Sequence, residues 1–245
     1  MIRWVFWDLG DTLVNEDRLR CAIWQDLQNT LRAAGSERSF GELLRLREHL
    51  AAAGDTSPHY TLARRGLTDE QFEAWLSRTS EFVSGTGQTL INPVPGSQEA
   101  LIALSGRVSN GIIADQPVAV LDTLTRLGMR GLFQFEGLNC FAGRSKPDPE
   151  FFLWALQHAD CAPGDAVMVG NRFDQDAEPA LGVGMHAILC YLSPWEKGWT
   201  PTTDAENTYL SSLARVPNWA MPESTAGAKV CANMSEVLRH LNAME

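Results

Sequence analysis

Charged and amide side chains recur at the ends of apolar segments along this chain. Asp8 and Asp11 follow the run Ile2–Trp7, and Asp115 follows Gly111–Ala114. Lys146 opens the step Lys146-Pro147-Asp148-Pro149 after a third apolar segment, and Asn171, Asp174 and Asp176 follow Ala166–Gly170. Asp and Asn are favoured turn formers, which accounts for one or two such positions. It accounts poorly for their recurrence at four segment ends, one of which adds a cation. A carboxylate beside an ammonium at one cleft is what an anion-transfer reaction needs. The carboxylate is a weak nucleophile whose electrophile must be held in line, and like-charged reactants need a cation between them.

The segments that must position these groups read as alternating strands and helices. Ile2–Trp7 is a buried strand that ends abruptly at Asp8-Leu9-Gly10-Asp11. From Gly111 onward, strands at 111–114, 135–141, 166–170 and 186–191 alternate with helices at 118–127, 149–159 and 177–183. A strand near Val230 and a helix from Ser235 to Leu241 close the chain. This order predicts an α/β fold with a doubly wound parallel sheet, Rossmann-like, whose ligands lie beyond the carboxyl ends of the strands.

Between Thr12 and Asn92 the pattern is helical instead. Leu19, Ala22, Ile23, Leu27 and Leu31 form one stripe, Phe40, Leu43, Leu44 and Leu50 a second, and Phe72, Trp75, Leu76 and Phe82 a third. Thr68 and Gln71 have capping-box spacing ahead of the last. Three helices fit, with a looser link over 55–66, and Asn92-Pro93-Val94-Pro95-Gly96 marks the return to the sheet. The expected division is a core of 1–13 with 95–245 and an inserted helical domain of 14–94. The segment 193–225, with Trp195, Trp199 and Trp219, reads as an ordered surface excursion.

Three of these motifs, Val5 through Leu13, Lys146-Pro147-Asp148-Pro149 and Val169 through Asp176, resemble in order and spacing the first, third and fourth motifs of the haloacid dehalogenase (HAD) superfamily. The resemblance runs from Ile2 to Tyr191 and makes the helical insert similar to that family's small cap. It implies a hydrolase in which Asp8 attacks a phosphoryl group and water then cleaves the aspartyl-phosphate. It further implies that Lys146 offsets the charge of nucleophile and phosphate, and that Gly10, Asp11, Ala114 and Asp115 border the phosphate. Magnesium would take Asp8, the carbonyl of Gly10, Asn171 and waters, with Asp176 orienting Lys146 or a metal-bound water. The substrate so implied is a small, anionic phosphorylated metabolite.

Three positions depart from the phosphatase pattern. Gly10 stands where the family places the aspartate that protonates the leaving oxygen and activates water, and Asp11 is one residue late. Ala114 replaces a phosphate-binding Ser or Thr, and Asn171 replaces an aspartate, which removes one unit of charge from the metal site. Losing a general acid costs about 10²- to 10⁴-fold in rate. Two other readings therefore accompany the phosphatase: a metal-independent 2-haloacid dehalogenase-type enzyme, and a HAD-fold binding or regulatory protein with impaired catalysis.

The chain of 245 residues carries a net charge of −10 and is 44% hydrophobic, enough for a substantial core. Its charge opposes nucleic-acid phosphates and anionic lipid, so neither partner is expected. No apolar run reaches membrane-span length, and the amino terminus lacks a signal-peptide pattern, so a cytoplasmic protein is expected. The five cysteines show no zinc-ligand spacing and read as reduced thiols. The histidines have no ligand spacing, and Arg64-Arg65 reads as a solvated helix face.

Overall fold

The computed structural model describes residues 1–214, 225 and 227–244. The chain separates into two compact units. One holds Met1–Asn15, Asn92–Gly198 and the described residues from 225 onward; the other holds Glu16–Ile91 with the chain from Trp199 through the helix that ends at Leu213.

The first unit is a six-stranded sheet in the order β5-β4-β1-β6-β7-β8. Its strands are β1 (Trp4–Trp7), β4 (Ser109–Ala114), β5 (Phe135–Leu138), β6 (Ala166–Gly170), β7 (His186–Cys190) and β8 (Ala228–Cys231), and every pairing is parallel. A separate two-residue pair, β2 (Val14–Asn15) with β3 (Asn92–Pro93), is antiparallel. The helices are α5 (Ser97–Leu104), α6 (Val120–Arg126), α7 (Asn139–Ala142), α8 (Pro149–His158), α9 (Glu178–Gly182) and α11 (Met234–Asn242).

β1 lies at the centre because it is apolar on both faces: Val5, Phe6 and Trp7 are fully buried. Phe6 packs with Phe151, Phe152, Ala155, Met168 and Ala180. Gly111, paired with Phe6 in register, makes room for that ring, since a Cβ there would meet it at 2.7 Å. The buried Asn110 amide staples the next position, accepting from the Trp7 indole at 3.0 Å. These contacts fix the last residue of β1 immediately before Asp8.

The parallel sheet expected from the strand–helix alternation is present. One strand is shorter than its pattern implied: the run 135–141 stops at Leu138, and Asn139–Ala142 forms a helical turn closed by Gly143 at φ 65°. The apolar Phe141 that extended the pattern is 50% exposed.

The second unit is all helical: α1 (Asp17–Ala33), α2 (Phe40–Ala52), α3 (Pro58–Gly66), α4 (Asp69–Ser84) and α10 (Asp204–Leu213). Capping boxes start α2 at Ser39, α4 at Thr68 and α10 at Thr203. Trp24, Leu27, Leu31, Leu43, Leu44, Phe72 and Trp75 form its core. Two expectations are corrected here. The link over 55–66 contains α3, started by Pro58 at its first turn; only Leu62 and Ala63 are buried, too few for a visible stripe. The excursion over 193–225 contributes α10, whose Tyr209 and Leu210 join this core together with Trp199. Trp195 is 56% exposed, and Trp219 lies outside the described residues. No described helix is long and apolar enough to cross a membrane.

Candidate active site

The carboxyl ends of β1, β4 and β6 bring the sequence-selected groups to one edge of the sheet. Asp8 continues β1, its amide donating to Val169 of β6 at 2.9 Å. Asp115 follows β4 and Asn171 follows β6. Lys146 arrives from the loop between α7 and α8. Its backbone is held by Asp115, whose two carboxylate oxygens accept from the Lys146 amide at 3.3 and 3.2 Å. The Lys146–Pro147 peptide is cis, and Asp148 caps α8 by accepting from the Glu150 amide at 3.0 Å.

From this anchored backbone the Lys146 side chain, 6% exposed, places Nζ 2.6 Å from Asp8 Oδ1 and 2.6 Å from Asp176 Oδ1. The other oxygen of Asp176 accepts from the amides of Asn171 and Arg172 at 3.1 and 2.9 Å. Asp176 therefore stands as the group that aims the ammonium. It reaches this position through a π-helical turn, Phe173–Ala177, of a kind that concentrates at functional sites. The other oxygen of Asp8 accepts from Thr12 Oγ1 at 3.0 Å.

One ammonium faces two buried carboxylates, and the electrostatics follow from that imbalance. Burial pushes the Asp8 carboxyl up to about 7; Lys146 opposes the shift, Asp176 adds to it, and the hydrogen bonds from Lys146 and Thr12 oppose it. Burial alone would depress the Lys146 ammonium, but Asp176 and Asp8 outweigh it and hold the pKa above the ordinary lysine value. Burial also raises Asp115, against the pull of Lys146.

Gly170 is the backbone condition for this cluster. A Cβ at that position would collide with the Asp176 carboxyl group. Gly170→Ala should therefore push Asp176 off Lys146 and lower kcat by about tenfold or more, on the scale of losing a group that orients a catalytic charge. Steady-state kinetics on the folded variant check this; unchanged kcat would mean that Asp176 does not orient Lys146.

Asp11, expected beside the phosphate, is placed elsewhere. It occupies the left-handed region at φ 61°, is 5% exposed, and pairs with Lys197 Nζ at 3.0 Å. The turn that follows Gly10 swings its side chain away from the course of β1, toward the chain after β7. Asn15 donates to the Lys197 carbonyl at 2.9 Å and fixes that segment. Asp174 pairs with Arg172 and not with the cluster. Ala114 is the last residue of β4 and is fully buried, and Gly10 lies in the turn after β1, bridged to Val14.

Thr12 and Lys197 were missed from sequence. Thr12 had a usable signal, a hydroxyl four residues after a carboxylate across a turn. Lys197 had none, because it sits in a polar, Trp-flanked stretch without periodicity. The five cysteines are free thiols. Arg64 is tied to Asp69 and Glu73 and lies over the Phe72 ring.

The haloacid dehalogenase-like hydrolase family model matches residues 2–184. The chain belongs to this family. The relative from Pyrococcus abyssi named glyceraldehyde 3-phosphate phosphatase is 30% identical over 197 residues, covering 77% of this chain and 81% of the relative. Its namesake from Pyrococcus furiosus is 29% identical over 194 residues, covering 76% and 80%. Among solved structures, the HAD-hydrolase YfnB of Bacillus subtilis, bound to magnesium, superposes with a TM-score of 0.66 at 12% identity over 98% of this chain and 99% of that one. This last likeness concerns the fold alone.

Proposed function

We propose that this hydrolase is a magnesium-assisted phosphatase of a small phosphorylated metabolite that works through an aspartyl-phosphate on Asp8. The observation that carries the reading is the Lys146 ammonium held 2.6 Å from both Asp8 and Asp176 at the strand ends. The names of the Pyrococcus relatives support phosphate esters as the substrate class.

In this reading Asp8 supplies the attacking oxygen, and Lys146 lowers the repulsion between that carboxylate and the incoming phosphate. Thr12 holds the second carboxylate oxygen and so limits rotation of the nucleophile. Asp176 fixes the ammonium, and amides at the ends of β1 and β4 are available to the phosphate oxygens. Magnesium fits the donor set. Asp8 offers a carboxylate; the Gly10 carbonyl and the side-chain carbonyl of half-buried Asn171 accept no hydrogen bond from the described residues, and all three are oxygen donors. When bound, the ion neutralises phosphate charge. Asn171 makes its site one charge poorer than a carboxylate would.

The dehalogenase and non-catalytic readings are less favoured, since the Pyrococcus relatives carry phosphatase names and the Asp8–Lys146–Asp176 cluster is intact. A panel of phosphate esters, glyceraldehyde 3-phosphate included, assayed with magnesium and with excess chelator, tests the choice. Phosphate release should fall at least about tenfold on chelation. Halide release from a 2-haloacid undiminished by chelator, with no phosphate release from the panel, would reverse it.

A further inference from the structure

Among the described residues, Asp11 and Asp160 are the two that combine a side chain with a positive φ. Asp160 lies in an exposed turn after α8, whereas Asp11 is buried and sits three residues after the nucleophile Asp8. A Cβ disfavours the left-handed region, so surrounding contacts must hold such a residue there. The backbone of the turn supplies part of the hold. The Leu9 carbonyl accepts from the amides of Thr12, Leu13 and Val14 at 3.2, 2.9 and 2.9 Å, and the Asp11 amide donates to the Val14 carbonyl at 2.7 Å.

The Asp11 side chain supplies the rest. Lys197 Nζ lies 3.0 Å from Asp11 Oδ1, and the two side chains are 10% and 6% exposed. Lys197 cannot follow a moving partner, because its own backbone is anchored within the same unit. Asn15 Nδ2 donates to the Lys197 carbonyl at 2.9 Å. Gly198, at φ 81°, lies so close to Pro95 that a Cβ would stand 3.1 Å from the proline ring. Ahead of Lys197, a capping box between Ser193 and Glu196 closes the turn Pro194–Glu196. The ammonium is therefore a fixed point against which the nucleophile turn is held.

Resting on the phosphatase reading, we propose that Lys197 is a positioning residue for the nucleophile: it clamps Asp11 in the left-handed turn and so fixes Gly10 and Thr12 on either side of it. A planar peptide turns as one piece, so the φ of Asp11, the rotation beside the Gly10–Asp11 peptide, aims the Gly10 carbonyl. Thr12, on the other side, donates its hydroxyl to Asp8 Oδ2 at 3.0 Å. Release of Asp11 toward an ordinary negative φ would rotate that carbonyl and draw the hydroxyl off the carboxylate. A purely stabilising role explains the pair less well. Two buried opposite charges stabilise a fold little compared with well-packed apolar side chains of similar volume, whereas a directional clamp needs a charge at a defined point.

Three variants test the proposal: Lys197→Met, Asp11→Ala, and Asp11→Gly combined with Lys197→Met. Each is measured by steady-state kinetics at saturating magnesium, on the ester of the phosphate panel that the wild type hydrolyses fastest, and by calorimetric titration with magnesium alone. Lys197→Met should lower kcat by about tenfold or more, change KM by less than about twofold, and weaken magnesium binding by about tenfold. Asp11→Ala keeps the Cβ and loses the clamp, and should do the same. Glycine adopts the left-handed region unaided, so the double variant should recover most of both losses although it lacks the ion pair altogether. Wild-type kcat and magnesium affinity in Lys197→Met, or in Asp11→Ala where Lys197→Met does not fold, would overturn the proposal and leave the phosphatase reading intact. A double variant no better than the single ones would do the same, because Lys197 would then not act through Asp11. No phosphate release by the wild type from any ester would overturn the phosphatase reading and this proposal with it.

Discussion

Asp8→Asn should abolish turnover, with kcat falling by at least about a thousandfold, the scale on which removing a covalent nucleophile acts. The substitution preserves shape and removes only the attacking oxygen's charge. Its fold should survive, and the pH dependence of stability shows why. Burial raises the Asp8 carboxyl to about 7, far above its unfolded value near 3.8. Between those values the folded state binds more protons than the unfolded one, so stability falls as pH rises and the loss is complete above about 7. In chelator, the melting temperature of the wild type should therefore drop relative to Asp8→Asn as pH rises through that window, and magnesium should narrow the gap. Wild-type turnover by Asp8→Asn would remove the nucleophile from the mechanism, whatever the melting curves show.

The sheet was legible in the sequence because parallel strands buried on both faces leave short apolar runs with sharp ends, as Val5-Phe6-Trp7 and Ala166-Val167-Met168-Val169 do. The strand-end rule picks out Asp8, Asp115, Lys146 and Asp176 among the polar groups that follow these runs, and these four converge. Helix α3 was illegible for the opposite reason: a nine-residue helix that buries only Leu62 and Ala63 carries no period. Helix α10 belongs by packing to a unit from which it is separated in sequence by Asn92–Gly198 of the α/β unit, a pairing that local pattern cannot reveal. Asp11 shows a finer limit. Its type and position suggested the phosphate, but its direction depends on a left-handed turn and on a lysine 186 residues away.

Lys146→Met should damage both activity and folding, and the two losses have separate causes. Methionine matches much of the apolar stem but leaves Asp8 and Asp176 without the ammonium that now stands between them, in a site where the two carboxylates are 8% and 1% exposed. Removing one partner of a buried ion pair costs about 3–5 kcal/mol, because the charge left behind has lost its compensation. Part of that cost is recovered when a carboxylate takes up a proton, so the stability loss should shrink below neutral pH, where the Asp8 carboxyl is already inclined to be neutral. Catalysis loses the cation that lets a carboxylate approach a phosphate, worth about 10²- to 10³-fold in kcat for one preorganised electrostatic contact. Lys146→Arg separates the terms: it restores charge and much of the stability, yet its planar fork cannot reproduce a point charge 2.6 Å from two carboxylates at once. Activity should stay low while the melting temperature recovers. Recovery of both would mean that only the charge at this position matters, and that the geometry imposed by Asp176 does not.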